Sequence, residues 1–270
     1  MIVPVIVHDS PPRGDRRFAM LNRSRVLQVA ALVLVVTACT TTGKHERMAE
    51  SRASAVVLAT DRSDADRKLD EARKPVELLT FIGVKSGARV LDIGAGNGYT
   101  TELLARAAGP DAQVWGQNDR VMIEKYVKAA FDDRAAAFKG ARLNKYVSAF
   151  DNPVPPGAAP LDLVTIVLFY HDIAYLPVDR ALMLKRLYAA MKPGASLIVI
   201  DHSAKSGEGI KGVQNLHRIE EASVRSELAS AGFEFVADAD FWRSPGDARD
   251  QPFFKMAVPT DQFALKFMRR

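Results

Sequence analysis

Val90-Leu91-Asp92-Ile93-Gly94-Ala95-Gly96-Asn97-Gly98, with Tyr99-Thr100-Thr101 behind it, is the stretch that decides the fold. A short apolar run carrying one acid, Asp92, enters three glycines spaced two and two, and a helical pattern follows at once. A strand that ends this way has to turn sharply and let bare backbone approach a ligand without interference from Cβ atoms. The helix start behind it offers free N–H groups and the positive end of the helix dipole. This strand–loop–helix setting separates the segment from an ordinary tight turn.

Outward from the loop, apolar strand-like runs alternate with helical patterns, as in a parallel sheet covered on both faces. Strands are expected at Arg89–Ile93, Gln113–Gly116, Lys145–Ala149, Leu161–Phe169 and Ser196–Ile200. Helices are expected at Thr100–Ala108, Val121–Phe138 and Val178–Met191, the last stopped by Lys192-Pro193-Gly194. A helix Glu220–Ala231, a strand Phe233–Ala237 and a final strand Phe263–Phe267 complete the pattern. Upstream, Ser63-x-x-Asp66 has the form of a capping box for a helix through Leu69 and Ala72. Pro75 interrupts that helix, and a second stretch, Val76 to Ile82, ends at Gly83.

The glycine spacing and the position of Asp92 resemble the cofactor loop of class I S-adenosylmethionine-dependent methyltransferases. A dinucleotide-binding loop would place its third glycine at Tyr99. The resemblance implies a Rossmann-like, doubly wound α/β fold: seven strands, mostly parallel with an antiparallel last strand, in three α/β/α layers. It implies S-adenosylmethionine as cofactor, held by Asp92, Gly94, Ala95, Gly96, Asn97 and Gly98. The acid that such enzymes place on the ribose hydroxyls falls at Asn118, with Asp119 one residue later. Asp151, followed by Asn152, matches the position that contacts the adenine amino group. A more specific similarity, to exported methyltransferase-like proteins, rests on Asp66-x-x-x-Asp70-x-x-Arg73-Lys74-Pro75, Tyr170-His171-Asp172 and His217-Arg218. It spans roughly residues 60 to 270.

In a doubly wound sheet, ligands bind beyond the carboxyl ends of the strands. The fourth strand delivers Tyr170, His171 and Asp172 to that edge, and the fifth delivers Asp201 and His202. Methyl transfer depends on alignment more than on covalent help, but an acceptor that carries a proton gains from a nearby base. His171 is the expected base, oriented by Asp172 or Asp201, with His202 second. No His-x-His or His-Glu-x-x-His spacing occurs, so no metal site is expected. Asp66, Asp70 and Arg73 share one helix face, either as solvated i,i+4 pairs or as part of a lid over the pocket.

Charge and composition bound the partners. The formal charge is +5, but residues 1–38 hold five Arg and two Asp, leaving +2 for the rest. No basic block interleaved with aromatics appears, and the fourth strand lacks an Asn/Asp-Pro-Pro-Tyr run, so no nucleic-acid partner is expected. Arg23 and Arg25 precede an apolar run, Val26–Ala38, that would make a helix of about 20 Å, too short for a hydrocarbon core of about 30 Å. With Val36-Thr37-Ala38-Cys39 at its end, the run resembles a lipoprotein signal starting at Met20, with residues 1–19 an untranslated upstream stretch. Residues 1–39 are then a removed or lipidated segment, 40–62 a flexible tether, and 63–270 the domain with its N-terminal helical lid. The expected protein is exported and anchored in the bacterial envelope through lipidated Cys39, with Thr40 mildly favouring the outer membrane. Its expected activity is methyl transfer to a small or lipid-like acceptor. The alternatives are an envelope-anchored nucleoside or small-ligand binding protein without turnover, and, more weakly, a nicotinamide oxidoreductase. Export is at odds with a cofactor made in the cytoplasm.

Overall fold

The structure is a computed structural model that describes residues 47–256 and 258–270. Seven strands form one sheet in the order β3-β2-β1-β4-β5-β7-β6. They are β1 Arg89–Ile93, β2 Gln113–Asn118, β3 Arg142–Val147, β4 Leu161–Val167, β5 Met191–His202, β6 Phe233–Ala239 and β7 Gln262–Arg269. The pairs among β1 to β5 are parallel, as the alternating pattern implies, and β7 runs antiparallel between β5 and β6, as the family resemblance implies.

Alternation along each strand divides the core between the two sheet faces. Leu91 and Ile93 of β1 join one apolar cluster with Leu184 and Leu187 of helix α9 (Arg180–Ala190) and Leu228 of α10 (Glu221–Ser230). Val90 joins the other, with Leu78, Leu79 and Ile82 of α4 (Pro75–Ile82) and Leu103 and Leu104 of α5 (Tyr99–Ala108). The result is three layers, α/β/α. Because chain order reverses between β1 and β4, a crevice opens at their carboxyl ends.

Several segments differ from the sequence expectation. Strand β4, expected to reach Phe169, stops at Val167, and Tyr170–Tyr175 form a short helix, α8, that carries His171 and Asp172. Residues 47–57 are helical (α1), although 40–62 reads as a tether. Ala53 is buried, with Val56 and Val57 partly so; their i, i+3, i+4 spacing gives α1 an apolar face. Arg62, also buried, bonds Val57 O at 2.8 Å. The expected helix Val121–Phe138 is broken into α6 (Arg120–Met122), a π turn (Ile123–Val127) and α7 (Ala130–Ala137). Lys128 takes a left-handed φ of 50° at the break, and Phe131 beyond it fills the space beside Gly98 and Gly116. Strand β3 starts three residues early because it is a polar edge strand paired with β2 from Gln113↔Arg142. Strand β5 begins at Met191, taking in Lys192-Pro193-Gly194, with a register shift opposite Leu161/Leu163. Cys39 and the rest of the expected signal lie outside the described residues. No described helix is long and apolar enough to cross a membrane.

Half of the capping box forms: Ser63 Oγ accepts from Asp66 N at 3.1 Å and starts α2 (Asp64–Arg67), while the Asp66 carboxylate turns to Arg134 and the expected helix through Ala72 breaks after Arg67. A second short helix, α3 (Asp70–Arg73), leads to Pro75 at the start of α4.

Asp92 ties the switch point together. Its carboxylate is buried and accepts Thr101 Oγ1 of α5 at 2.6 Å and Thr165 Oγ1 of β4 at 2.7 Å. Burial pushes its pKa up to about 6, with the two hydroxyls pulling the other way. A carboxyl whose pKa is raised on folding stabilises the fold below its unfolded value, near 4, and loses that contribution as pH rises through 6. His202, depressed to about 4 by burial, acts oppositely over the same range, so a variant comparison is needed to isolate Asp92. Asp92→Asn keeps the shape without the charge. In urea titrations at pH 4 and pH 7, the stability of wild type minus that of the variant should fall by about 2–3 kcal/mol at the higher pH. A difference independent of pH would contradict the buried, titrating Asp92.

Candidate active site

Three glycines shape the loop after β1. Gly94, Gly96 and Gly98 have φ of 67°, 55° and 85°, a region that side chains with Cβ atoms enter at a cost. A Cβ at Gly94 would collide with the Phe169 ring, and one at Gly98 would press on Phe131 and Arg134. At Gly96 it would meet no protein atom within 4 Å. The loop is therefore packed from behind at its two ends and bare at its middle, beside the N-terminus of α5. A cradle of that form fits a nucleoside cofactor of the S-adenosylmethionine type.

Asn118 is fully buried at the end of β2, and its amide is engaged with the loop itself. Gly96 N donates to Oδ1 at 2.9 Å and Nδ2 donates to Gly96 O at 3.1 Å. A carboxylate could accept the first bond but would face the Gly96 carbonyl with no proton to offer, so the amide suits this position as an acid would not. Asp119 caps α6 through Met122 N at 2.6 Å. Ala95 N bonds Gln117 O at 3.1 Å, and exposed Asn97 offers its carbonyl to Arg134 Nε at 2.7 Å. After β3, Phe150 packs on Phe169 with ring centroids 5.0 Å apart, which sets the turn of Asp151 and Asn152 behind the same ring that closes Gly94. Asp151 O accepts from Arg186 at 2.6 Å, and Asn152 is exposed.

The helices before the sheet fasten onto this loop. Asp66 is buried and holds Arg134 at 2.5 and 2.8 Å, and Arg134 also reaches Glu102 of α5 at 2.5 Å. Asp70 accepts Tyr99 OH at 2.7 Å and both Arg62 Nη atoms at 2.7 Å. Arg73 lies 6.0 Å from the Tyr99 ring, with its pKa lowered by burial. Of the two readings for this face, the structure shows Asp66 and Asp70 turned to the loop side and paired across elements. Tyr99 and Arg134 were not among the residues expected here. Tyr99 follows the last glycine directly, while nothing in the sequence pattern points to Arg134.

The second half of the site stands at the ends of β4 and β5. His171 is 2% exposed. Asp201, fully buried at the end of β5, accepts its backbone N at 2.7 Å and its Nδ1 at 2.6 Å, and also His202 N at 2.8 Å. Burial opposes both charges. The mutual attraction outweighs it, holding Asp201 below the usual carboxylate range and His171 above the usual imidazole value. With Nδ1 engaged, Nε2 of His171 is buried without a hydrogen-bond partner, 3.4 Å from Asp172 Oδ2. Burial raises Asp172, against the pull of His171 and His217. His217 Nδ1 lies 3.5 Å from Asp172 Oδ1 on a backbone with φ of 52°.

His202 forms the neighbouring wall. Its Nδ1 meets Thr260 Oγ1 at 2.9 Å, and its ring stacks on Phe253 at 4.3 Å and 7°. Burial lowers its pKa to about 4, leaving a neutral ring at ordinary pH. Arg218, fully buried, binds Asp247 at 2.8 Å, Ser203 O at 3.0 Å and Gln251 O at 2.9 Å. That buried pair joins the connection carrying His217 to the connection carrying Phe253 and Thr260. His171, Asp172 and His202 are therefore brought together as expected, while Phe253 and Thr260, distant in sequence, carry no motif that would have marked them.

The family model described as a methyltransferase domain matches residues 63–238, more than half of the chain. The chain belongs to that family. It is similar to the ubiquinone/menaquinone biosynthesis C-methyltransferase UbiE of Burkholderia vietnamiensis, 28% identical over 160 residues that make up 59% of each chain. The same protein of Burkholderia thailandensis is 29% identical over 160 residues, again 59% of each. The match thus spans less than two thirds of the length of these relatives. Among solved structures, a S-adenosylmethionine-dependent methyltransferase from Aquifex aeolicus superposes with a TM-score of 0.53 at 19% identity, covering 77% of this chain and 100% of that one. One from Mesorhizobium loti gives 0.52 at 16% identity, covering 74% and 100%. At these identities the structural likeness speaks for the fold, which is the expected one.

Proposed function

We propose that this methyltransferase-family chain moves a methyl group from S-adenosylmethionine to a small or lipid-like acceptor at the carboxyl edge of β1, β4 and β5. The observation that carries the reading is the placing of two half-sites at one switch point: a bare cradle at Gly96, and a buried His171 turned by Asp201 at the ends of the adjoining strands. Gly94, Ala95, Gly96, Asn97 and Gly98 would hold the nucleoside end, with Asp119 and the Asp151–Asn152 turn at its rim. Asp92 and Asn118 serve that end from behind, by fixing the loop. The cofactor supplies a methyl on a sulfonium, so transfer forms one bond from acceptor to carbon, breaks the carbon–sulfur bond and leaves a neutral thioether.

The chain's own residues align the acceptor and manage its proton. His171 Nε2 and Asp172 face the place where that proton must leave, and His202 with Phe253 forms an apolar, uncharged wall. Phe254 beside them is largely exposed, and Phe253 partly so, which suits an aromatic or aliphatic acceptor. The Burkholderia relatives are named for C-methylation in ubiquinone and menaquinone biosynthesis, which is of that apolar kind. A binding protein without turnover is less favoured, because a buried His–Asp pair with one free nitrogen contributes nothing to nucleoside binding.

Isothermal calorimetry of the full chain with S-adenosylmethionine tests the cofactor half. Gly96→Val is the informative control, since its side chain enters open space and strains only the backbone, by about 1–2 kcal/mol. Wild type should bind with micromolar-range affinity, and the variant should bind at least about tenfold more weakly, 1.4 kcal/mol, while remaining folded. Absence of binding by a well-folded wild type would overturn the reading.

We also propose export and lipid anchoring through Cys39, on the periplasmic side and preferentially at the outer membrane. The support is the register of Arg23, Arg25, the apolar run and Val36-Thr37-Ala38-Cys39. Detergent phase partition should place the cellular protein with the lipids and return Cys39→Ala to the aqueous phase. Equal partition of both would contradict it.

A further inference from the structure

His171, Asp172 and His217 turn their donor atoms toward one another without a good hydrogen bond among them. The one imidazole nitrogen, one carboxylate and second imidazole nitrogen lie within 4.8 Å of one another. His171 Nε2 is buried without a hydrogen-bond partner, which is a cost unless something electrophilic sits against it. Its neighbour Asp172 Oδ2, at 3.4 Å, is beyond a good hydrogen bond, as is the 3.5 Å between Asp172 Oδ1 and His217 Nδ1. The two distances run to different oxygens of Asp172, and all three donors lie within 4.8 Å of one another, close enough for one ion of bond length about 2.1 Å to draw them in.

The surroundings are those of a metal-binding histidine. The nitrogen opposite Nε2 is held by a carboxylate, Asp201, which itself accepts two backbone N–H groups and is fully buried. Such a second carboxylate fixes the tautomer and orientation of a ligating imidazole and raises its basicity. His217 keeps a left-handed φ of 52°, a strained conformation that directs its ring to Asp172 and is secured by buried Arg218 next to it. Phe253 lies 6.4 Å from the His171 ring and 6.1 Å from the His217 ring, and Phe254 lies 5.5 Å from His217, so aromatic rings screen one side. Asp172 and His217 are each about one third exposed, so the opposite side is open.

We propose that His171, Asp172 and His217 bind a divalent transition-metal ion, zinc by donor set, and that an oxygen of the methyl acceptor takes the open position. The second part rests on the reading of this edge as the acceptor site. Bound to the ion, an acceptor hydroxyl or enol loses its proton to water at neutral pH, and the resulting oxyanion is the nucleophile. The acceptor class is accordingly an alcohol, phenol or enol, and His171 acts as ligand while Asp201 acts as its positioning residue.

The test is cobalt(II) titration of the full chain after chelator treatment, read by visible absorption and by metal analysis after gel filtration. Wild type should take up one equivalent of cobalt with the intense bands of a four- or five-coordinate site, displaced by zinc. His217→Ala and Asp172→Asn, shown to be folded by circular dichroism, should lose the bands and bind at least tenfold more weakly. Wild type that binds S-adenosylmethionine but retains no cobalt, or variants that retain it unchanged, would overturn the metal site and leave the methyltransferase reading intact. Cobalt bound at these residues in a chain that binds no S-adenosylmethionine would uphold the metal site and remove the cofactor reading.

Discussion

One buried carboxylate holds the switch point of the sheet. Asp92 leaves β1, takes a hydroxyl from β4 through Thr165 and another from α5 through Thr101, and is shielded from water. Both halves of the site follow from those two bonds. The first fixes the distance between the strands whose ends carry the glycine loop and His171. The second sets the helix whose N-terminus stands behind Gly96. An unpaired acid here would be costly, and the two hydroxyls make it tolerable without neutralising it by a cation.

From that pin the cofactor cradle is built by close packing on glycine. Phe169 presses on Gly94, and Phe131 presses on Gly98 and on Gly116 of β2. Asn118 then binds the Gly96 backbone through both donor and acceptor. The helices before the sheet add a polar strap, Asp66–Arg134–Glu102 and Asp70–Tyr99, that ties them to the first turn of α5. At the other end, the buried Arg218–Asp247 pair couples two long connections so that His217 and Phe253 both meet His171, and each other. Pairs of this kind are costly to break on one side, and here they position loops that the sheet alone leaves free.

The sheet was legible in the sequence because each central strand is an apolar run bounded by breakers, and because Gly94, Gly96 and Gly98 admit few backbone paths. Edge strand β3 was less so: the polar residues Arg142, Asn144 and Lys145 interrupt any apolar period, and its register comes from pairing to β2. The break at Lys128 is a tertiary effect, in which burial of Phe131 beside two glycines overrides a continuous helical pattern. Helix α1 could have been found from Ala53, Val56 and Val57, a short apolar stripe masked by many polar neighbours. His202 was visible because it ends a strand, and His171 and Asp172 because they follow one, in the first turn of a short helix, Tyr170–Tyr175. Their meeting with His217, Phe253 and Thr260 depends on how two connections fold back, which no local spacing encodes. The match to an acid at the end of β2 also misled in detail, since Asn118 turns inward to the loop.

The most direct measurement is a crystal structure of the full chain with S-adenosylhomocysteine. The nucleoside should lie along Gly94–Gly98 over the bare face of Gly96, with the sulfur directed toward His171. An empty loop at saturating ligand, or a sulfur directed away from the ends of β4 and β5, would contradict a site assembled from these two halves.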